Sequence, residues 1–209
     1  MKNVTVVDHP LLQRDLTILR NRTTSSDVFR RKMASVSVFL AYEAMRSLKL
    51  GRIAVQTPLE AAEGFVVDED VLVVPILRAG LGFVQGFVDL VPEARVAHVG
   101  MQRDEASHEP EGYYSSIPSD IERDHVFVID PMLATGGTAT RTIAHLKERG
   151  ASRFHFICLV AAPEGVDALL EAHPGVEIVA GAVDRELDRN AFIRPGLGDA
   201  GDRIFGTTS

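Results

Sequence analysis

The chain has 209 residues, 45% hydrophobic and 24% charged, enough for one α/β domain with a full core. Its net charge of −7 argues against a dedicated nucleic-acid binder, which carries a basic footprint, but not against a small anionic substrate held by local arginines and backbone N–H groups. No apolar run approaches the roughly 20 residues of a membrane span, Met1-Lys2-Asn3 opens no apolar signal core, and the single cysteine, Cys158, has no disulfide partner, so a reduced compartment, the cytoplasm, is expected.

In chain order, residues 9–50 read as helical. Thr23-Thr24-Ser25-Ser26 can cap a helix over 27–48, in which Val28, Phe29, Val36, Phe39, Leu40 and Leu48 form an apolar stripe. From residue 71 strands alternate with helices. Runs at 71–77, 95–102, 125–129, 154–161 and 176–183 are nearly continuous in Val, Ile and Phe, which predicts a parallel sheet covered on both faces. Helices are predicted over 81–90, 137–149 and 164–172, with Arg149-Gly150 as a stop signal for the second. Two segments leave this alternation. Residues 104–124 are polar, with Pro110, Gly112 and Pro118, and predict a hairpin or flap whose returning arm carries Tyr113 and Tyr114. Residues 184–206 form a glycine-rich tail, and its interleaved Phe192, Ile193, Leu197, Ile204 and Phe205 predict an ordered loop. With no repeats and no long linker, residues 1–209 are expected to form one domain.

In such a sheet ligands sit beyond the carboxyl ends of the strands. The residues there are Arg78, Arg103-Asp104-Glu105, Asp130 and Asp184. The most informative stretch is Asp130-Pro131-Met132-Leu133-Ala134-Thr135-Gly136-Gly137-Thr138, which follows the strand Val126-Phe127-Val128-Ile129 and opens a helix. Backbone N–H groups of a helix start point outward, glycines let an anion approach, and Thr135 and Thr138 add hydroxyl donors. Asp130 cannot favour phosphate. Its natural partner is a sugar hydroxyl, so acid and anion cradle together point to a phosphorylated ribose; the plain alternative is a helix N-cap after a strand. Arg78 and Arg103 end adjacent strands, where two guanidiniums could meet one diphosphate.

Gly80, Gly82 and Gly86 support a rival, since with Asp104 they approximate a dinucleotide-binding fingerprint. No G-K-[ST] P-loop, H-E-x-x-H zinc motif or G-x-S-x-G elbow occurs. The seven histidines are expected at the surface or at strand edges, and Cys158 in the core.

Together with Val73-Val74-Pro75-Ile76-Leu77-Arg78-Ala79-Gly80, Leu159-Val160-Ala161-Ala162-Pro163-Glu164-Gly165, Ala172-His173-Pro174 and Pro195-Gly196-Leu197-Gly198-Asp199-Ala200-Gly201-Asp202, the Asp130–Thr138 loop resembles the uracil phosphoribosyltransferases over essentially the whole chain. The loop alone indicates the broader type I phosphoribosyltransferases, and the tail motif makes the likeness specific. The resemblance implies a type I phosphoribosyltransferase fold, a parallel sheet flanked by helices with a flap and a C-terminal base-binding hood. It implies transfer of phosphoribose from 5-phospho-α-D-ribose 1-diphosphate to uracil, giving UMP and diphosphate with Mg²⁺ held mainly by the donor. By resemblance, Asp130, Pro131, Met132, Leu133, Ala134, Thr135, Gly136, Gly137 and Thr138 hold the ribose and its 5-phosphate. Arg78 and Arg103 hold the diphosphate. Ile193, Gly198, Asp199 and Ala200 form the uracil pocket, with Asp199 also facing the donor, and the catalytic set is Arg78, Arg103, Asp130 and Asp199. A non-proline cis peptide near Arg78–Gly80, a homo-oligomer (dimer or tetramer) and activation by GTP complete the expectation. Two departures stand out. Tyr113-Tyr114-Ser115-Ser116-Ile117-Pro118 lacks the lysine that commonly precedes the apolar–proline pair, and Arg194 stands where an apolar residue is usual. The alternatives are a nucleotide- or RNA-binding regulator of the same fold, a nicotinamide-dinucleotide enzyme, or another pyrimidine or purine acceptor.

Overall fold

The computed structural model describes residues 3–103 and 110–207, without the side chains of 101–103 and 110–113. In chain order the elements are β1 (Val4–Val6), α1 (Pro10–Arg20), α2 (Ser26–Ala44), a 3-10 turn (Met45–Ser47), β2 (Leu50–Gln56), β3 (Ala61–Val67), β4 (Val71–Leu77), α3 (Leu81–Leu90), β5 (Arg95–Val96), β6 (Val99–Arg103), β7 (Pro110–Ser115), β8 (His125–Ile129), β9 (Met132–Leu133), α4 (Gly137–Glu148), β10 (Arg153–Ala161), α5 (Pro163–Ala172), β11 (Glu177–Val183), β12 (Glu186–Leu187), β13 (Ile193–Arg194) and α6 (Ala200–Phe205).

The main sheet has the order β1-β11-β10-β8-β4-β6-β7. Its strands run parallel except β7, which returns antiparallel to β6, as a flap hairpin requires. Residues 104–109, which begin the flap expected over 104–124, lie outside the described residues. Alternate side chains of each central strand enter opposite cores. Val73, Phe127, Ile129, Ile157 and Leu159 pack with α1, α2 and α3, whereas Leu72, Val74, Val126, Val128 and Phe156 pack with α4 and α5. Both faces are therefore apolar, which explains the unbroken hydrophobic runs.

Several details differ from expectation. The helical stretch 9–50 is two helices, broken at Asn21 and held together where the buried Asp15 accepts hydrogen bonds from Lys32 (2.9 Å) and Ser35 (2.7 Å). Ser25 stands at the N-cap of α2, yet its hydroxyl bonds Asp27 rather than a backbone N–H. The strand expected at 95–102 is interrupted into β5 and β6. β1, the β2–β3 hairpin, β9, β12, β13 and α6 are elements beyond those the sequence pattern predicts. His125, His155 and His173 are buried, not peripheral. His125 Nε2 and His155 Nδ1 lie 2.8 Å apart within the sheet. Burial, followed by the neighbouring His155, holds the His125 ring down to about 4.

The glycines of the rival fingerprint have packing roles. A Cβ on Gly80 would lie 2.5 Å from the Ile129 carbonyl oxygen, and one on Gly86 would lie 2.2 Å from Ser37 Oγ and 2.8 Å from the α2 backbone. The second glycine that counts is thus the seat of the α2–α3 crossing.

Candidate active site

β8 delivers Asp130 to the carboxyl end of the sheet. The next residues cannot drift, because the Pro131 carbonyl accepts N–H groups of Leu159 (2.9 Å) and Val160 (3.1 Å) from β10. The turn into α4 closes through Gly136 at φ 79°, where a Cβ would also meet the Gly165 carbonyl oxygen at 2.8 Å. No side chain caps α4, so its first N–H groups face the loop. Asp130, Met132, Leu133, Ala134, Thr135, Gly136, Thr138 and Ala139 line a cavity of about 170 Å³. Its dimensions and donors suit a small anion at a helix start.

Burial, and secondarily the nearby Asp199, pushes the Asp130 carboxyl up to about 7; a hydrogen bond from the Met132 N–H opposes this. The carboxylate is thus poised near neutrality and gains from any ligand that donates hydrogen bonds to it. Burial, with Asp130 behind it, also pushes the Cys158 thiol up, which leaves that residue an inert core group.

The tail folds over this loop as a hood. β12 and β13 form a short antiparallel pair, the Arg194–Pro195 peptide is cis, and Gly196 and Gly198 take positive φ. Asp199 then caps α6, accepting the Asp202 N–H at 2.8 Å. A larger cavity of about 350 Å³ opens between hood and loop, lined by Ala79, Asp130, Met132, Ala134, Asn190, Ala191, Phe192, Ile193, Gly198, Asp199, Ala200 and Gly201. Asp130, Met132 and Ala134 belong to both cavities, so the two spaces adjoin.

The other expected residues fall as follows. The Leu77–Arg78 peptide is cis and not followed by proline, at one end of the segment where such a bond was expected. Arg78 reaches α6, with Nη2 3.4 Å from Asp202 Oδ1 and its guanidinium over the Phe205 ring. Pro131 is buried beneath the loop and Gly137 starts α4 rather than lining the cavity. Arg103 ends β6, the neighbour of β4, and its side chain lies outside the described residues. Arg194 turns outward and pairs with Asp188, whose carboxylate also accepts the Asn190 and Phe192 N–H groups. The unusual arginine therefore braces the 188–192 turn at the pocket rim. Sequence reasoning missed Ala79, Ala139, Asn190, Ala191, Phe192 and Gly201 as lining residues of the two cavities. The only signal for them was adjacency to the residues it did select.

The family model described as Uracil phosphoribosyltransferase matches residues 6–207. A uracil phosphoribosyltransferase of Salinibacter ruber is 62% identical over 207 residues, covering 99% of each chain. A solved structure from Aquifex aeolicus superposes with a TM-score of 0.92 at 33% identity, covering 98% of this chain and 99% of that one. An adenine phosphoribosyltransferase structure from Trypanosoma brucei, at 14% identity and a TM-score of 0.58 over 95% of this chain and 89% of that one, shares the fold alone. The loop, the hood and the match along almost all of its length lead to one conclusion: the chain belongs to the uracil phosphoribosyltransferase family, enzymes that transfer phosphoribose to uracil.

Proposed function

We propose that the two adjoining cavities are the two halves of one transfer site. The smaller holds the 5-phosphate of 5-phospho-α-D-ribose 1-diphosphate, and the larger holds uracil with its N1 facing the ribose C1. The observation that carries this is the shared wall: Asp130, Met132 and Ala134 border both spaces, as the sugar joining phosphate and base requires.

The chemistry needs no nucleophilic side chain. As the C1–O bond to diphosphate breaks, N1 of uracil attacks C1, the C1–O electron pair leaves on the diphosphate, and the N1 proton passes to the departing diphosphate or to solvent. Ionised Asp130 accepts hydrogen bonds from the ribose hydroxyls. The α4 N-terminus, Thr135 and Thr138 fix the 5-phosphate. Arg78 and Arg103 are assigned to the leaving diphosphate, Arg78 by exchanging Asp202 for it. Ile193, Gly198 and Ala200 read uracil chiefly through backbone groups, with Asp199 at the junction. Among the described residues no cluster of three or more acidic, histidine or cysteine side chains could hold a metal ion. Mg²⁺ would be held mainly by the donor's own oxygens and would supply charge neutralisation for the leaving diphosphate.

Activation by GTP, a homo-oligomeric state and a cytoplasmic location belong to the same proposal. No helix among the described residues is long and apolar enough to cross a membrane. The test is a base panel of uracil, cytosine, thymine and hypoxanthine with donor and Mg²⁺, with and without GTP. UMP formation from uracil, at a kcat/KM at least about a hundredfold above that for cytosine, is expected, since a mismatched base leaves buried polar groups unpaired at about 1–3 kcal/mol each. Comparable turnover of another base would overturn the acceptor assignment.

A further inference from the structure

We infer that Arg20 and Asp184 are positioning residues for base recognition: a half-buried guanidinium–carboxylate pair that grips both backbone groups of Gly196 and so holds the hood loop in its uracil-binding shape. The inference rests on the assignment of the larger cavity to uracil.

Arg20 is the last residue of α1, and Asp184 follows the carboxyl end of β11. Their fork-to-fork contact has both prongs at 2.7 Å, with side chains only 24% and 6% exposed. Arg20 Nη1 also donates to the Gly196 carbonyl oxygen at 2.8 Å, and the Gly196 N–H donates to Asp184 Oδ2 at 2.8 Å. One residue is thus held through both of its main-chain groups by two opposite charges. The choice of residue matters. Gly196 sits at φ 59° directly after the cis Arg194–Pro195 peptide, midway between Ile193 and Gly198, which line the cavity. A Cβ there would lie 2.2 Å from the Ile193 carbonyl oxygen. A second tie runs parallel: Arg203 donates to the Leu197 carbonyl at 2.8 Å and to that of Asn21 at 2.7 Å, stacked on Phe29. Ile193 and Leu197 anchor the base loop in the core beside α1, α2 and α3, and charge-assisted hydrogen bonds tie the backbone between and beyond them to the end of α1.

Neither Arg20 nor Asp184 lines the cavity, so their effect on the reaction passes through the loop. If removal of one partner leaves the loop in its binding shape about a tenth of the time, apparent affinity for uracil falls by the same factor. The donor's ribose and 5-phosphate, assigned to β8 and α4, and its diphosphate, assigned to Arg78 and Arg103, lie outside the segment this clamp holds.

The test is steady-state kinetics of the intact enzyme carrying Arg20→Ala, Asp184→Asn, both together, or the milder Arg20→Lys, with each substrate varied in turn. The expected result is a rise of about tenfold in the uracil KM, a donor KM within about twofold of wild type, and reduced discrimination between uracil and cytosine. The double variant should be no worse than the worse single one, because the pair acts as a unit. Arg20→Lys, which keeps the charge but not the fork, should recover part of the loss. An unmoved uracil KM, or donor and uracil KM rising together, would overturn the clamp, and so would failure of all four variants to fold, which would make the pair a fold determinant. Wild-type enzyme that does not use uracil would instead overturn the assignment beneath the inference, a result visible before any variant is made.

Discussion

Asp130 sits where burial and function pull in opposite directions. Its carboxyl is held at about 7, against 3.8 for an ordinary aspartate, first by burial and then by Asp199. A folded-state value above the unfolded one means that the folded protein holds the proton longer. The resulting stability is complete below about pH 4 and is lost as pH rises through about 7. At pH 8 the ionised carboxylate is therefore a strain on the fold, a cost that its proposed role as acceptor for the ribose hydroxyls accounts for. Asp130→Asn should raise Tm at about pH 8 by a few degrees, on the order of 1 kcal/mol after solvent screening, while keeping the Met132 N–H contact. The same change should lower kcat/KM for the donor roughly ten- to hundredfold, the size of a lost charge-assisted hydrogen bond. In wild type kcat/KM should fall below about pH 7, and the variant should lose that limb. Calorimetry and pH–rate profiles check the two halves separately. Near-normal kcat/KM in the variant would remove Asp130 from the site, and an unchanged Tm would refute the buried-charge account.

At the scale of elements, the α2–α3 crossing decides what the glycine pattern means. Gly86→Ala has no room: the new methyl would press on the α2 backbone at Ser37 and Val38. Overpacking of this kind costs about 1–3 kcal/mol, which should lower Tm by roughly 3–10 °C while uracil and donor KM stay near wild type. Were Gly80, Gly82 and Gly86 a dinucleotide fingerprint, NADH would bind wild type and fail to bind the variant; titration should find binding to neither. The central sheet was legible because both of its faces are buried, so β4, β8, β10 and β11 announce themselves as unbroken apolar runs. The Asp130–Thr138 loop was legible because its chemistry is local. The hairpin was not, because neither face of β2 or β3 is covered, so no alternation marks which side is inward. α6 has six residues and contains Gly201, too short for periodicity, although Asp199 three residues before Asp202 was a usable capping signal. The Arg20–Asp184 contact joins residues 164 positions apart, a pairing no local pattern encodes.

The whole molecule carries one element that its own core does not explain. β2 and β3 pair only with each other, from Leu50↔Val67 to Gln56↔Ala61, and form a sheet separate from the main one. Ile53, Phe65 and Val66 are exposed along it, and Leu59 at its tip is 94% exposed. A lone two-stranded hairpin is marginal in water, and an apolar one invites a partner. Its root is nonetheless firmly set. The Lys49 N–H donates to Glu69 at 2.8 Å, and Arg153 joins Glu69 to the Ser47 carbonyl beside the buried His125. An arm fixed at its base and apolar at its end fits insertion against a second copy of the chain, in line with the homo-oligomer proposed above. Light scattering of the wild type at micromolar concentration should give a dimer or a higher even assembly. Burying Leu59 and Phe65 is worth about 1.5–3 kcal/mol for each side chain, so Leu59→Asp combined with Phe65→Asp should weaken association by a hundredfold or more. The variant should retain its circular dichroism, since these side chains support no core within the protomer. A monomeric wild type would refute the arm as an interface, and a variant that associates as tightly as wild type would move that interface elsewhere on the surface.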